Sequence, residues 1–128
     1  MKLENQVVSL ELAKKLKELG VEQESLFYWH DNEIKTVTAV AYPPSGKEFY
    51  FDGGSFENNL SVVYSAYTVA ELGEMLPRSG IEYHKCVDVS GGWSCGQSFP
   101  SMVIKKDDKE ADARAKMLIY LKENNLIN

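Results

Sequence analysis

Cysteine is scarce in this chain, with only Cys86 and Cys95 among 128 residues. Two thiols without a CxxC spacing exclude a disulfide framework and the usual cysteine-rich zinc module. Long apolar runs are missing: none approaches the roughly 20 residues needed to cross a bilayer, so no membrane partner is expected. Basic residues are outnumbered, 14 Lys and Arg against 19 Asp and Glu, for a formal net charge of -5. That balance argues against generic attachment to nucleic-acid phosphates, whose affinity comes from clustered Lys and Arg. A phosphate loop is absent as well, because Gly53 and Gly54 are not followed by the GK[ST] that such a loop requires. There are no internal repeats. The N-terminal MKLENQVVSL lacks the basic, apolar and small-residue order of a secretory signal, so the expectation is a cytoplasmic protein with reduced thiols.

What is present is the composition of an ordinary globular protein, 44% hydrophobic and 26% charged, long enough for a core without staples. A single α+β domain covering 1–128 is expected. The stretch KKDDKEADARAKMLIYLKENN from Lys105 to Asn125 reads as its principal helix. Asp107 with Glu110 has capping-box spacing, which starts the helix near Asp108. Glu110 with Arg114 and Asp112 with Lys116 are acid-before-base pairs that mark a wet face. Ala113, Met117, Leu118, Tyr120 and Leu121 form the apolar stripe. Ile119 falls outside it, so the run Met117 to Leu121 is apolar nearly all round, which suggests deep burial or a subunit contact there, against the plainer reading of one surface isoleucine. Asn124 or Asn125 can take the left-handed position that ends the helix.

An earlier helix is capped by Ser9, stapled by Val8 and Ala13, and stopped by Gly20. Thr68 and Glu71 make another capping box, opening a short helix that Pro77 ends. Gly73 inside that helix costs about 1 kcal/mol against alanine and implies a close packing contact. Between these helices, LFYWH and IKTVTAVAY flank Asp31-Asn32 and read as a hairpin. KEFYF follows as a short strand, residues 52–59 read as loop, and Leu60 to Ala66 resumes β character. IEYHKCVDVS alternates cleanly, and Gly91-Gly92 reads as a two-residue turn that sets Asp88 opposite Cys95 and Cys86 opposite Gln97. The order α-ββ-β(β)-α-ββ-α predicts an antiparallel sheet built from hairpins, with helices packed on one face.

Candidate chemistry concentrates on the second hairpin, where His84, Cys86, Asp88 and Cys95 are metal-ligand types on one expected face. In that register the two thiols are diagonal, which suits neither a relaxed disulfide nor an easily shared metal. His30 or His84 beside Cys86 or Cys95 would be the pairs for nucleophilic catalysis, but no nucleophile-elbow or papain-type surrounding accompanies them. No cofactor is expected. Aromatic residues cluster at Phe27-Tyr28-Trp29, Phe49-Tyr50-Phe51 and Trp93, and alternation must send some of them outward. Tyr28, Trp93, Ile119 and Tyr120 are the candidate partner-binding residues on this reading.

Three blocks, VVSLELAKKLKELGVEQESLFYW (7–29), YTVAELGEMLP (67–77) and EADARAKMLIYLKENNLI (110–127), together resemble an uncharacterised family of small proteins encoded by bacteriophages and prophages of gut bacteria. The resemblance implies a phage-derived protein in the cytoplasm of a bacterial host cell, and it carries no catalytic residues with it. The expected function is a non-enzymatic accessory module that binds protein, either a second copy or a phage or host protein. The alternatives are a small hydrolase or metal-dependent enzyme using His84, Cys86 and Cys95, and a nucleic-acid binder or acidic nucleic-acid mimic.

Overall fold

The computed structural model describes residues 2–76, 84–89, 92–97 and 103–125, with the backbone alone of 84–89, 94–97, 103, 104 and 106. Helix α1, Leu10–Glu18, begins at Ser9. It closes with Gly20 N–H donating to the Lys17 carbonyl and Val21 N–H to the Leu16 carbonyl, the two-bond stop that Gly20, at φ 85°, permits. Helix α2, Val69–Met75, carries the expected capping box: Thr68 Oγ1 accepts from Glu71 N–H at 3.2 Å, and a Glu71 carboxylate oxygen accepts from Thr68 N–H at 2.9 Å. Gly73 has its close contact, since a Cβ there would lie 2.9 Å from an Arg114 guanidinium nitrogen.

Helix α3, Glu110–Glu123, starts later than its sequence suggests. Lys109 is the N-cap and makes no side-chain cap bond, so the expected box of Asp107 and Glu110 does not form. Asp107 is instead the last residue of a strand, where its carboxylate accepts from Lys109 N–H at 3.2 Å. Of the two expected ion pairs on α3, Glu110 and Arg114 meet at 2.8 Å. Asp112 and Lys116 are drawn apart: Asp112 is buried against the start of α1, and Lys116 binds Asp107 at 2.7 Å. The helix is enclosed nearly all round, because Ala111, Ala113, Ala115, Met117, Leu118, Ile119 and Leu121 are all buried. Asn125, at φ 55°, takes the left-handed position that follows it.

Nine strands form three antiparallel three-stranded sheets among the described residues, rather than one sheet. The first pairs β1 (Tyr28–His30) with β2 (Glu33–Lys35) and β6 (Tyr64–Ser65). Its hairpin turns at Asp31 and Asn32, both at positive φ, as a two-residue turn matching the strand twist requires. The second holds β3 (Val37–Ala41), β4 (Glu48–Phe51) and β5 (Phe56–Glu57) in that order. The single strand expected over 34–42 is therefore split. At Thr36, N–H donates to the Asp52 carboxylate and the carbonyl accepts from Asp52 N–H, and this switch moves the chain from one sheet to the next. The third sheet holds β7 (His84–Val89), β8 (Gly92–Gln97) and β9 (Val103–Asp107) and packs on α3.

Two cores result. The larger joins α1, α2 and α3, with Trp29, Tyr64, Trp93 and Tyr120 against it; the smaller comprises Tyr28, Phe49, Phe51 and Val63. The fold is α+β with antiparallel sheets built from hairpins, as expected, but its strands are divided among three sheets, and β1 lies between the two cores, covered on both faces.

Candidate functional site

The second hairpin has a different register from the expected one. Cys86 is directly opposite Cys95, Asp88 opposite Trp93, and Val89 opposite Gly92. Gly92 is thus the first strand residue and not a turn residue. Its φ is 149°, and a Cβ on it would come within 2.5 Å of the Asp107 carbonyl oxygen, so glycine is required where β9 passes closest. Period-two alternation puts the positions of His84, Cys86, Asp88 and Cys95 on the face that also carries Trp93, Lys105 and Asp107. That face is the one turned to α3: Trp93 packs on the larger core, Lys105 Nζ lies 5.1 Å from the Tyr120 ring, and Asp107 binds Lys116. The side chains of the four metal candidates lie outside the described set.

The expected partner residues are not gathered on one surface. Tyr28 is 6% exposed and belongs to the smaller core; Ile119 is 9% exposed and belongs to the larger. Tyr28 is expected outside and is instead covered by elements distant in sequence, while Ile119 takes the deep burial that was one of its two expected readings rather than a surface position. Tyr120 is half-buried under Lys105. Trp93 is half-buried at a cleft of about 750 Å3, lined also by Asn5, Gln6, Thr68, Val69 and Lys109.

Two features were not read from the sequence. The first is a polar chain inside the smaller core's rim. His30 is 3% exposed and stacks on Phe51 at 4.8 Å between ring centroids. Its Nε2 lies 2.9 Å from Glu57 Oε1 and its Nδ1 lies 3.1 Å from Lys35 Nζ. An ammonium only donates and a carboxylate only accepts, so this arrangement assigns the ring proton to Nε2 and leaves Nδ1 to accept. The His30 hydrogen bond, with help from the Asn59 N–H, holds the Glu57 carboxyl below its ordinary range. Lys35 also reaches Ser55 Oγ at 3.4 Å. Serine, lysine, histidine and a carboxylate are the residue types of hydrolytic sites, but here Lys35 separates Ser55 from His30. A charged lysine cannot take the hydroxyl proton, so the order suits a tie between β1, β2 and β5 rather than a nucleophile with its base.

The second feature is an apolar surface on the β3–β4–β5 sheet. Tyr50 and Phe56 are paired across β4 and β5, and their rings stack at 5.5 Å and 20° on the outer face. They are 39% and 51% exposed. Tyr50 OH donates to Glu48 at 3.1 Å, and the neighbouring carboxylate raises the phenol's pKa. Beside them runs β3, the edge strand, in which Val40 is exposed on the other face of the sheet, opposite Phe49, and after which Tyr42 lies under Lys47. Four of the six exposed large hydrophobic residues among the described ones therefore belong to this one small sheet or its edge. A sequence signal existed in part: Val37 to Ala41 is uncharged, with β-branched residues at Val37, Thr38 and Val40, the composition of an unguarded edge. No family model, no curated protein and no solved structure matches this chain.

Proposed function

We propose that this chain is a non-enzymatic protein-interaction module of the phage or prophage accessory type, and that its partner is a second copy, joined through β3. The single observation that carries the reading is the open β3 edge, uncharged from Val37 to Ala41, lying beside the exposed Tyr50–Phe56 stack. Edge strands of monomers are normally guarded by lysine, proline or a covering element, because their unused backbone groups template further pairing. β3 has a bulge between Val37 and Ala39 but no charge and no proline within it.

The choice of a second copy rests on charge. Antiparallel self-pairing about a two-fold axis sets β3 residues opposite β3 residues. With no ionisable group in the strand, a chain of net charge -5 meets no like charge along that line. The product would be one continuous sheet from two three-stranded ones, with the stacked aromatics of both copies on its faces. The titratable side chains buried among the described residues support a non-enzymatic reading, since His30 and Asp112 are each held by partners within the fold.

Light scattering coupled to size exclusion, over a dilution series, tests this. The wild type should elute as a dimer that dissociates on dilution. Val40→Lys, which places a guard on the edge, should be monomeric with an unchanged melting temperature. A wild type monomeric at every concentration, or a variant still dimeric, would refute the assignment.

A further inference from the structure

We propose that Cys86 and Cys95 form a cross-strand disulfide that closes the β7–β8 hairpin under oxidising conditions. The argument begins with register. Directly opposite residues of an antiparallel pair have Cα atoms about 4.5 or 5.5 Å apart, according to whether that pair exchanges hydrogen bonds, and both values fall within the about 4.4–6.8 Å that disulfides span. Cys86 and Cys95 are such a pair. They are also the only cysteines in the chain, so neither has a competing partner within it.

The register is not free to slip. Moving β8 by two residues, which keeps its faces, would put Ser90 or Ser94 where Gly92 stands, against the Asp107 carbonyl oxygen, and moving it by one would turn Trp93 away from the larger core. β8 is also paired on its far side, from Trp93 with Asp107 to Gln97 with Val103. A central strand held on both sides keeps the backbone position of Cys95 opposite that of Cys86, and a preset register raises the effective concentration of one thiol at the other. This inference is independent of the proposed dimer, because β7 and β8 are not in the β3–β4–β5 sheet.

The reaction is thiol–disulfide exchange with a small-molecule disulfide, glutathione disulfide being the reagent used here. One cysteine thiolate attacks glutathione disulfide and expels a glutathione thiolate, giving a protein–glutathione mixed disulfide. The second cysteine thiolate attacks the protein sulfur of that mixed disulfide and expels the other glutathione. Two protein thiols are oxidised, one glutathione disulfide is reduced to two glutathiones, and the protein loses two hydrogens.

The test uses the full chain, incubated with glutathione disulfide and then with N-ethylmaleimide under denaturing conditions, and read by intact mass and by non-reducing peptide mapping. The expected product is a single covalent chain with no intermolecular disulfide, about 2 Da lighter than the reduced chain, unreactive to N-ethylmaleimide, and yields one linked peptide containing Cys86 and Cys95. Its melting temperature should exceed that of the reduced chain by several degrees. Cys86→Ala and Cys95→Ala should each stop at a stable glutathione adduct, since the resolving thiol is gone. If a single variant fails to fold, the comparison of oxidised and reduced wild type still decides. Two glutathione adducts on the wild type, disulfide-linked dimers, or protection from N-ethylmaleimide that EDTA rather than a reductant removes would each overturn the proposal.

Discussion

Replacing Asp112 by alanine tests the contact that joins the two ends of the chain. Its Oδ1 accepts from Ser9 N–H at 2.7 Å, across 103 residues, and the side chain is 6% exposed. Ser9 is the N-cap of α1, and its own side chain makes no cap bond, so the α3 carboxylate anchors the entrance to α1 from outside. Alanine would leave the half-buried Ser9 N–H without its acceptor, at a cost of about 1–3 kcal/mol. For a domain of this size, a loss of about 2 kcal/mol lowers the melting temperature by roughly 6–10 °C. Asparagine behaves differently, because it keeps an acceptor oxygen and discards the charge.

The charge has its own cost. Burial, opposed mainly by the Ser9 N–H, raises the Asp112 carboxyl above its ordinary 3.8. Between 3.8 and the raised value the native state holds more protons than the unfolded one, so this group's contribution to stability falls as pH rises through that window. Asp112→Asn cannot show that fall. Urea unfolding followed by circular dichroism, at pH values from 4 to 7, should therefore find Asp112→Asn gaining on the wild type as pH rises, and Asp112→Ala below both. The reasoning fails if alanine costs under about 0.5 kcal/mol, or if asparagine is as damaging as alanine, because then the acceptor is not what matters.

Gly92→Ala should cost at least about 2 kcal/mol in the same assay, combining strain at φ 149° with a Cβ 2.5 Å from the Asp107 oxygen. Gly54→Ala, at φ 91° with nothing within 4 Å, should cost about half as much and serves as its control. Tyr67 is fully buried, its hydroxyl donates to the Glu22 carbonyl, and burial pushes its pKa up to about 12. The stability this group adds should be complete below about pH 10 and fall from there as pH rises through 12, a loss that Tyr67→Phe removes at a cost of about 1 kcal/mol at neutral pH. Burial works to raise the Asp107 carboxyl, but Lys116 and backbone N–H groups outweigh it and hold it below 3.8. Its contribution should be present above pH 3.8 and lost as pH falls through the lowered value, and Lys116→Gln should shrink that loss in acid titrations.

Local chemistry was legible in the sequence where it needed no distant partner. Thr68 with Glu71, the stop at Gly20 and the turn at Asp31-Asn32 each close within a few residues, and each forms as expected. Failures fall where a distant group competes. Asp107 is taken by pairing with Trp93, which delays α3. Asp112 is taken by Ser9 and Lys116 by Asp107, which dissolves an i,i+4 pair whose spacing was correct. The second hairpin is the sharpest case. Two-residue connections centred on Gly91-Gly92 or on 90–91 look alike from the local sequence, and the choice between them is made by the Asp107 carbonyl, fifteen residues along the chain from Gly92.

The aromatic triplets show why burial of individual residues was harder to read than class of fold. Phe27-Tyr28-Trp29 and Phe49-Tyr50-Phe51 are nearly the same pattern, each placing bulky rings at successive strand positions. Such a pattern demands cover on both faces, and whether cover arrives depends on the sheet that receives the strand. β1 is received between two cores, so Trp29 packs on the helices while Tyr28 is buried with Phe49. β4 is received one layer further out, so Phe49 and Phe51 are buried and Tyr50 is left outside against Phe56. The difference is topological, not compositional, and it originates at Thr36, where the chain leaves one sheet for the next. A chain that stayed in a single sheet there would have no β3 edge to offer a second copy. The break that sequence periodicity missed is therefore the same feature on which the proposed association depends.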